Sequence, residues 1–223
     1  MSAPERYEIP PERLERWLGR WTDLHGEVVN ERTAPERLTL TASDGAVLEL
    51  DPPFPPLEQP GFEGLLAHVR RERVVGVLLV RLGGHAVGVF DGDRLEVSKV
   101  GSRQVHGRSA AGGWSQQRFA RRREGQVRVA LAAAADLAAT LLVPVAATLD
   151  AVVLGGDRRS VDTVLADVRL APLRPLVVPP LLDVPDPRKA VLDSAPARFR
   201  AVRITLVDPP SADGRTRLDS PNG

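Results

Sequence analysis

The run VVGVLLVRLGGHAVGVFDGDRLEVSKV, residues 74–100, decides the fold. It divides into three strand-like segments rich in Val and Leu: Val74–Leu82, His85–Phe90 and Leu95–Val100. Gly83-Gly84 and Asp91-Gly92-Asp93 separate them, glycine-bearing connections of the kind that fold one strand back on the next. The pattern predicts an antiparallel three-strand meander.

Working outward, the C-terminal side alternates helix and strand. Gln116 to about Val143 is predicted as one long helix and Leu149–Leu154 as a buried strand. Gly155-Gly156-Asp157 opens a helix reaching about Val168. Leu176–Leu182 contains Pro179-Pro180, so it is an edge strand or extended segment. Pro187–Ser194 is a short helix and Ala201–Val207 a final alternating strand. With a short helix at Phe62–Arg73, these elements predict an α/β domain with a mixed sheet over 61–208. On the N-terminal side, residues 1–50 form a small accessory α+β unit. Its helix follows Pro10-Pro11 with Leu14, Trp17, Leu18 and Trp21 on one face, and Leu38–Leu40 and Ala46–Leu50 are strands about the turn Ser43-Asp44-Gly45. DPPFPPLEQP at 51–60, half proline, is expected to be a linker. The polar stretch 209–223 is expected to be a disordered tail, and no internal repeat is present.

Composition excludes several classes of function. The chain has 223 residues, 43% hydrophobic and only 4% aromatic, so its core is mainly aliphatic. It contains no cysteine, which removes disulfides, thiolate zinc sites and cysteine nucleophiles together. The charged, proline-rich N-terminus lacks the apolar core of a signal peptide. The most apolar stretch, Val129–Ala147, is broken by Asp136 and Pro144. A cytoplasmic protein that does not enter the membrane is expected.

Charge is concentrated. Residues 99–128, KVGSRQVHGRSAAGGWSQQRFARRREGQVR, carry Lys99, Arg103, Arg108, Arg118, Arg121, Arg122, Arg123 and Arg128 against Glu124 alone, a formal charge of +7. The whole chain is only +1, so the remainder sums to −6. A positive block on an acidic body points to a polyanion, most simply RNA. At helical spacing Phe119, Val127, Ala130, Ala134, Leu137, Ala138 and Leu141 share one face. Arg118, Arg121, Arg122, Gly125 and Arg128 fall opposite. A run of charge on a helix is ordinarily a solvated face. Here acids do not intersperse the arginines as they do on a neutral surface, which favours contact with an RNA backbone. Arg123 falls on the apolar side, so the first turns are expected to project beyond the core.

The chemistry available to this block is narrow. The histidines, His25, His68, His85 and His106, have no metal-ligand spacing. There is no P-loop or GxGxxG, and the first meander strand carries no acid for a two-metal nuclease. No metal and no cofactor are expected. What remains is Gly112-Gly113-Trp114-Ser115-Gln116-Gln117 beside a positive surface. A glutamine amide can hold a water by accepting one hydrogen bond and donating another, while backbone N–H groups stabilise an oxyanion. Equally, Gly112-Gly113 can be a simple turn and Ser115 a helix cap. Residue chemistry leaves both open.

The run Gly112–Phe119, between a meander strand and an arginine-faced helix, resembles the actinobacterial release-factor-like peptidyl-tRNA hydrolases. These are relatives of the eukaryotic enzyme that frees stalled nascent chains in ribosome quality control. The run is more distantly similar to the catalytic domain of eukaryotic and archaeal peptide-chain release factors. The resemblance covers about 61–208 and centres on Gly113-Trp114-Ser115-Gln116. It implies hydrolysis of the ester of ribosome-bound peptidyl-tRNA, with Gln116 catalytic and Gly112, Gly113, Ser115 and Gln117 shaping the loop. Lys99, Arg103, Arg108, Arg118, Arg121, Arg122 and Arg128 would grip tRNA and the RNA of the large ribosomal subunit, with the protein acting as a monomer. The release factors have an uninterrupted Gly-Gly-Gln, whereas Trp114 and Ser115 intervene here, leaving Gln116 and Gln117 both as candidates. Two alternatives remain: a metal-independent endonuclease cutting tRNA near its 3′ end, and a non-catalytic ribosome- or RNA-binding factor.

Overall fold

The computed structural model describes residues 4–82, 84–102 and 114–207, with the side chains of 102 and 114–123 excepted. The chain forms two compact units, 1–72 with 196–223, and 73–195.

The first unit contains β1 (Glu5–Ile9), α1 (Pro11–His25), β2 (Val28–Ala34), β3 (Arg37–Ala42), β4 (Val47–Asp51) and α2 (Gly61–Arg70). It is completed, after the second unit, by α6 (Pro196–Phe199) and β10 (Val202–Val207). Its five strands run antiparallel in the order β1-β10-β4-β3-β2. Strands β3, β4 and β10 alternate strictly between buried and half-exposed residues, so one face of the sheet is apolar. The register stacks Leu38, Leu50 and Ile204 across three strands, and Leu40, Leu48 and Leu206 beside them. Leu14, Trp17, Leu18 and Trp21 of α1 and Leu65, Leu66 and Val69 of α2 join these residues in one core. On the polar face Arg37 bridges Glu49 and Asp51, each at 2.6 Å.

Two corrections follow. The strand expected at 201–207 to close the α/β domain instead lies between β1 and β4 of the first unit. Its alternating sequence needs a sheet with one wet face, which the first unit provides. Residues 51–60 are not a free linker: Leu57 is buried in the first core and its N–H bonds Pro35 O at 2.7 Å. The unit boundary accordingly falls at Glu72/Arg73, past α2. Strands β1 and β2 carry no sequence signal, because both are edge strands rich in charge; only their backbone pairing defines them. Residues 208–223 lie outside the described residues.

The second unit has the predicted mixed sheet, in the order β7-β6-β5-β8-β9. Strands β5 (Val74–Arg81), β6 (Gly84–Asp91) and β7 (Arg94–Ser102) form the antiparallel meander. Helix α3 (Trp114–Leu141) then carries the chain to β8 (Ala151–Gly156), parallel to β5. Helix α4 (Arg158–Leu165) follows, and β9 (Val177–Leu182), holding Pro179 and Pro180, is the parallel edge strand. Helix α5 (Lys189–Asp193) ends the unit. Strands β5, β6 and β8 are buried along almost their whole length, as central strands covered on both faces are. One core unites Leu78, Val80, Val87, Val89, Val152 and Leu154 of the sheet with α3 and Val161 and Val164 of α4.

Because Ile204 is 1% exposed and lies on a strand paired on both sides, Ile204→Ala should cost about 2–4 kcal/mol. Chemical denaturation followed by tryptophan fluorescence should report it, since Trp17 and Trp21 share its core.

Candidate nucleic-acid interface

The basic block is supported by the end of the meander and by α3. Strands β6 and β7 remain paired up to Gly84 opposite Ser102, so 103–113 span the interval from the end of β7 to the start of α3. One step below, His85 lies opposite Gly101. His85 is 6% exposed, and a Cβ on residue 101 would stand 2.3 Å from its Nε2. Glycine at 101 leaves the space the imidazole fills.

Helix α3 begins at Trp114, two residues ahead of the expected start. Ser115 is therefore inside the helix and not at its cap, and Gln116 and Gln117 belong to the first turn. The buried stripe comprises Ala130, Leu131, Ala134, Ala135, Ala138 and, just past the helix, Leu142. The expected Leu137 and Leu141 are half-buried at its margin. The shift arises because alanines lie closest to the sheet, where small side chains allow close approach, and leucines fill the flanks. A Cβ on Gly76 would lie 3.3 Å from Leu142 Cδ2 and 3.0 Å from Leu149 Cδ1, which fixes the end of α3 over the start of β5.

Of the residues expected to act, Lys99 on β7 and Arg128 on α3 are both exposed. Arg118, Arg121 and Arg122, like Ser115, Gln116 and Gln117, lie on the first turns of α3, and their side chains are outside the described residues. Arg103, Arg108, Gly112, Gly113 and His106 are outside them altogether. The other histidines are internal: His25 Nδ1 meets Asp44 Oδ2 at 2.9 Å, and His68 Nε2 donates to Pro53 O at 2.8 Å. Among the described residues no three His, Asp or Glu side chains converge on a metal-sized site. No described helix is long and apolar enough to cross a membrane.

Gly156 and Asp157, expected to open a helix, do so, and their geometry adds what the sequence pattern does not show. Gly156 closes β8 with φ +105, and a Cβ there would fall 2.1 Å from Val80 O, so only glycine is accommodated. Asp157 then caps α4, accepting from Ser160 N at 2.8 Å and Ser160 Oγ at 2.6 Å. These bonds, aided by Arg81 and Arg159, hold its pKa below the ordinary carboxylate value. The spacing Asp-x-x-Ser at the head of a helix was a legible signal for that cap. Farther along, the Arg169 guanidinium spans Asp136 of α3 at 2.8 Å and Asp167 at 2.7 Å. The Arg169 guanidinium, with its backbone N–H, pulls Asp167 down to about 2, and its bond to Asp136 ties α3 to the segment after α4.

Residues 73–205, more than half of the chain, match the model of the Actinobacteria/chloroflexi VLRF1 release factor family. The chain belongs to that family. The VLRF1 match starts at the head of the second unit and includes β7, the whole of 103–113 and α3. No curated protein matches the chain. Among solved structures, the crystal structure of the archaeal translation termination factor aRF1 is similar at 16% identity and a TM-score of 0.44. It covers 87% of this chain, which spans 66% of that one. A second, of an archaeal protein, is similar at 16% identity and a TM-score of 0.43 with the same coverage.

Gly101→Ala should lower the thermal midpoint by displacing His85, and adding His85→Ala should restore part of the loss. Asp157→Ala should cost about 1 kcal/mol at neutral pH. Since folding lowers the Asp157 pKa, its contribution is full above the ordinary carboxylate value and is lost as pH falls through the lowered one. Denaturation curves of wild type and variant should therefore converge in acid.

Proposed function

We propose that the chain is a peptidyl-tRNA hydrolase of release-factor type, acting in the cytoplasm on peptidyl-tRNA held by the large ribosomal subunit. The observation that carries this reading is membership of a release-factor family over a span that contains Gln116 and the entire basic block. The exposed Lys99 and Arg128 on the two elements that bracket 103–113 support it.

In this reading the arginines hold RNA phosphates, and Gly112 and Gly113 let the backbone approach the ester. Gln116 orients a water whose oxygen bonds to the ester carbonyl carbon. The bond from that carbon to the ribose oxygen breaks, and the proton lost by water ends on the departing oxygen. The amide acts by orientation and not as a base, which suffices because the aminoacyl ester is already activated. No metal or cofactor has a part in these steps.

Release of a nascent chain from isolated 50S–peptidyl-tRNA complexes tests the proposal. Gln116→Ala should slow release by at least about 100-fold while leaving sedimentation with the subunit intact, and Gln117→Ala should retain most activity. The released tRNA should keep an intact 3′-CCA end. A shortened tRNA bearing a cyclic phosphate would establish the endonuclease instead. Full release by Gln116→Ala would show that the glutamine is not catalytic.

A further inference from the structure

Apart from the buried Arg73, the described lysines and arginines of the second unit are of two sorts. Arg81 pairs with Asp183, Arg94 with Asp91 and Glu96, Arg169 with Asp136 and Asp167, and Lys189 with Asp193. Arg174 donates to the carbonyls of Leu165, Ala166 and Asp167. By contrast Lys99, Arg128, Arg158, Arg159 and Arg188 are exposed and form no ion pair among the described residues.

Four of these five lie on one side of the sheet. Lys99 is opposite Val87, which faces the core beneath α3. Arg158 and Arg159 begin α4, which packs on α3, β5 and β8. Arg188 instead precedes α5, whose Leu192 approaches Gly88, a position on the other face of the sheet.

Arg128 and the start of α4 also lie toward the same end of the sheet. The end of α3 is fixed over Gly76 through Leu142. From Leu142 back to Arg128 a helix rises about 21 Å. Val80 pairs with Gly156, about 13 Å along the strand from Gly76, and α4 starts at Arg158 two residues beyond it. The side of α3 is set by Arg169, which follows α4 and reaches Asp136 at 2.8 Å. Arg128 lies two turns before Asp136 and about 80° round the helix. Positions 118, 121, 122 and 125 fall in the same sector by helical periodicity. Of the neighbouring acids, Asp183 pairs with Arg81, and Asp136 and Asp167 with Arg169, while Asp157, bonded by Ser160, keeps its negative charge. Asp162 and Glu124 remain exposed.

We propose that Arg158 and Arg159 form a second line of contact with the phosphodiester backbone of RNA, continuous with the arginine column of α3. Guanidinium forks suit phosphate oxygens. The contact is made by side chains, because Asp157 already occupies the amide of Ser160. The inference rests on the reading of the chain as an RNA-acting factor and adds to it a second element of the footprint.

The test is anisotropy of a labelled deacylated tRNA titrated with the full chain over a range of salt concentrations. Arg158→Ala/Arg159→Ala should weaken binding about tenfold and reduce the slope of log affinity against log salt by about two. Arg121→Ala/Arg122→Ala should do the same, and Arg188→Ala should change neither. Arg158→Lys/Arg159→Lys, which keeps the charge, should keep the slope. If the Lys pair loses the slope as the Ala pair does, the effect is on folding and the inference falls. If the Ala pair at 158 and 159 binds as wild type while that at 121 and 122 does not, the inference is overturned and the functional reading stands. If wild type shows no salt-dependent binding, both fall.

Discussion

A long helix anchored at one end governs the second unit. Helix α3 has 28 residues, about 42 Å, whereas β5 beneath it has eight, about 26 Å. Its C-terminal third is held by Leu142 over Gly76 and by Ala134, Ala135 and Ala138 in the core shared with the sheet. The surplus length must then emerge at the other end. That end is where β7 stops and α4 starts, and it is the end that carries the arginines. Burial of a small-residue face thus determines where the charged half of the helix emerges.

The first unit obeys a different constraint. Its sheet has one apolar face covered by α1 and α2, and without β10 the strands β1 and β4 have no common neighbour. The chain leaves this unit after α2, builds the whole of the second, and returns to complete the sheet. Composition does not show such a return, because strand pairing depends on which edge is open, not on residue type.

The candidate interface was legible in proportion to how local its signals are. The exposure of Arg128 follows from helical periodicity, and that of Lys99 from its place on an edge strand. The buried stripe of α3 lies one row from the one its leucines mark, because the alanines nearest the sheet are weaker hydrophobic markers than the leucines beside them. The sequence places Arg158 and Arg159 at a helix start, and nothing in Gly155–Ser160 says that α3 passes alongside. The Asp136–Arg169 tie, which shows which side of α3 faces α4, joins residues 33 positions apart in the sequence.

By itself the sequence determined the meander, the long helix, the strand and helix that follow it, and the separation of a +7 block from an acidic body. These rest on turn glycines, apolar periodicity and formal charge, all of which act within a few residues. Tertiary structure alone decided that β10 belongs to the first unit, that 51–60 packs as part of it, and that α4 brings two more arginines beside the helix. Each of these depends on hydrogen bonds or contacts between segments far apart in the chain, whose partners are chosen by geometry after the local elements have formed.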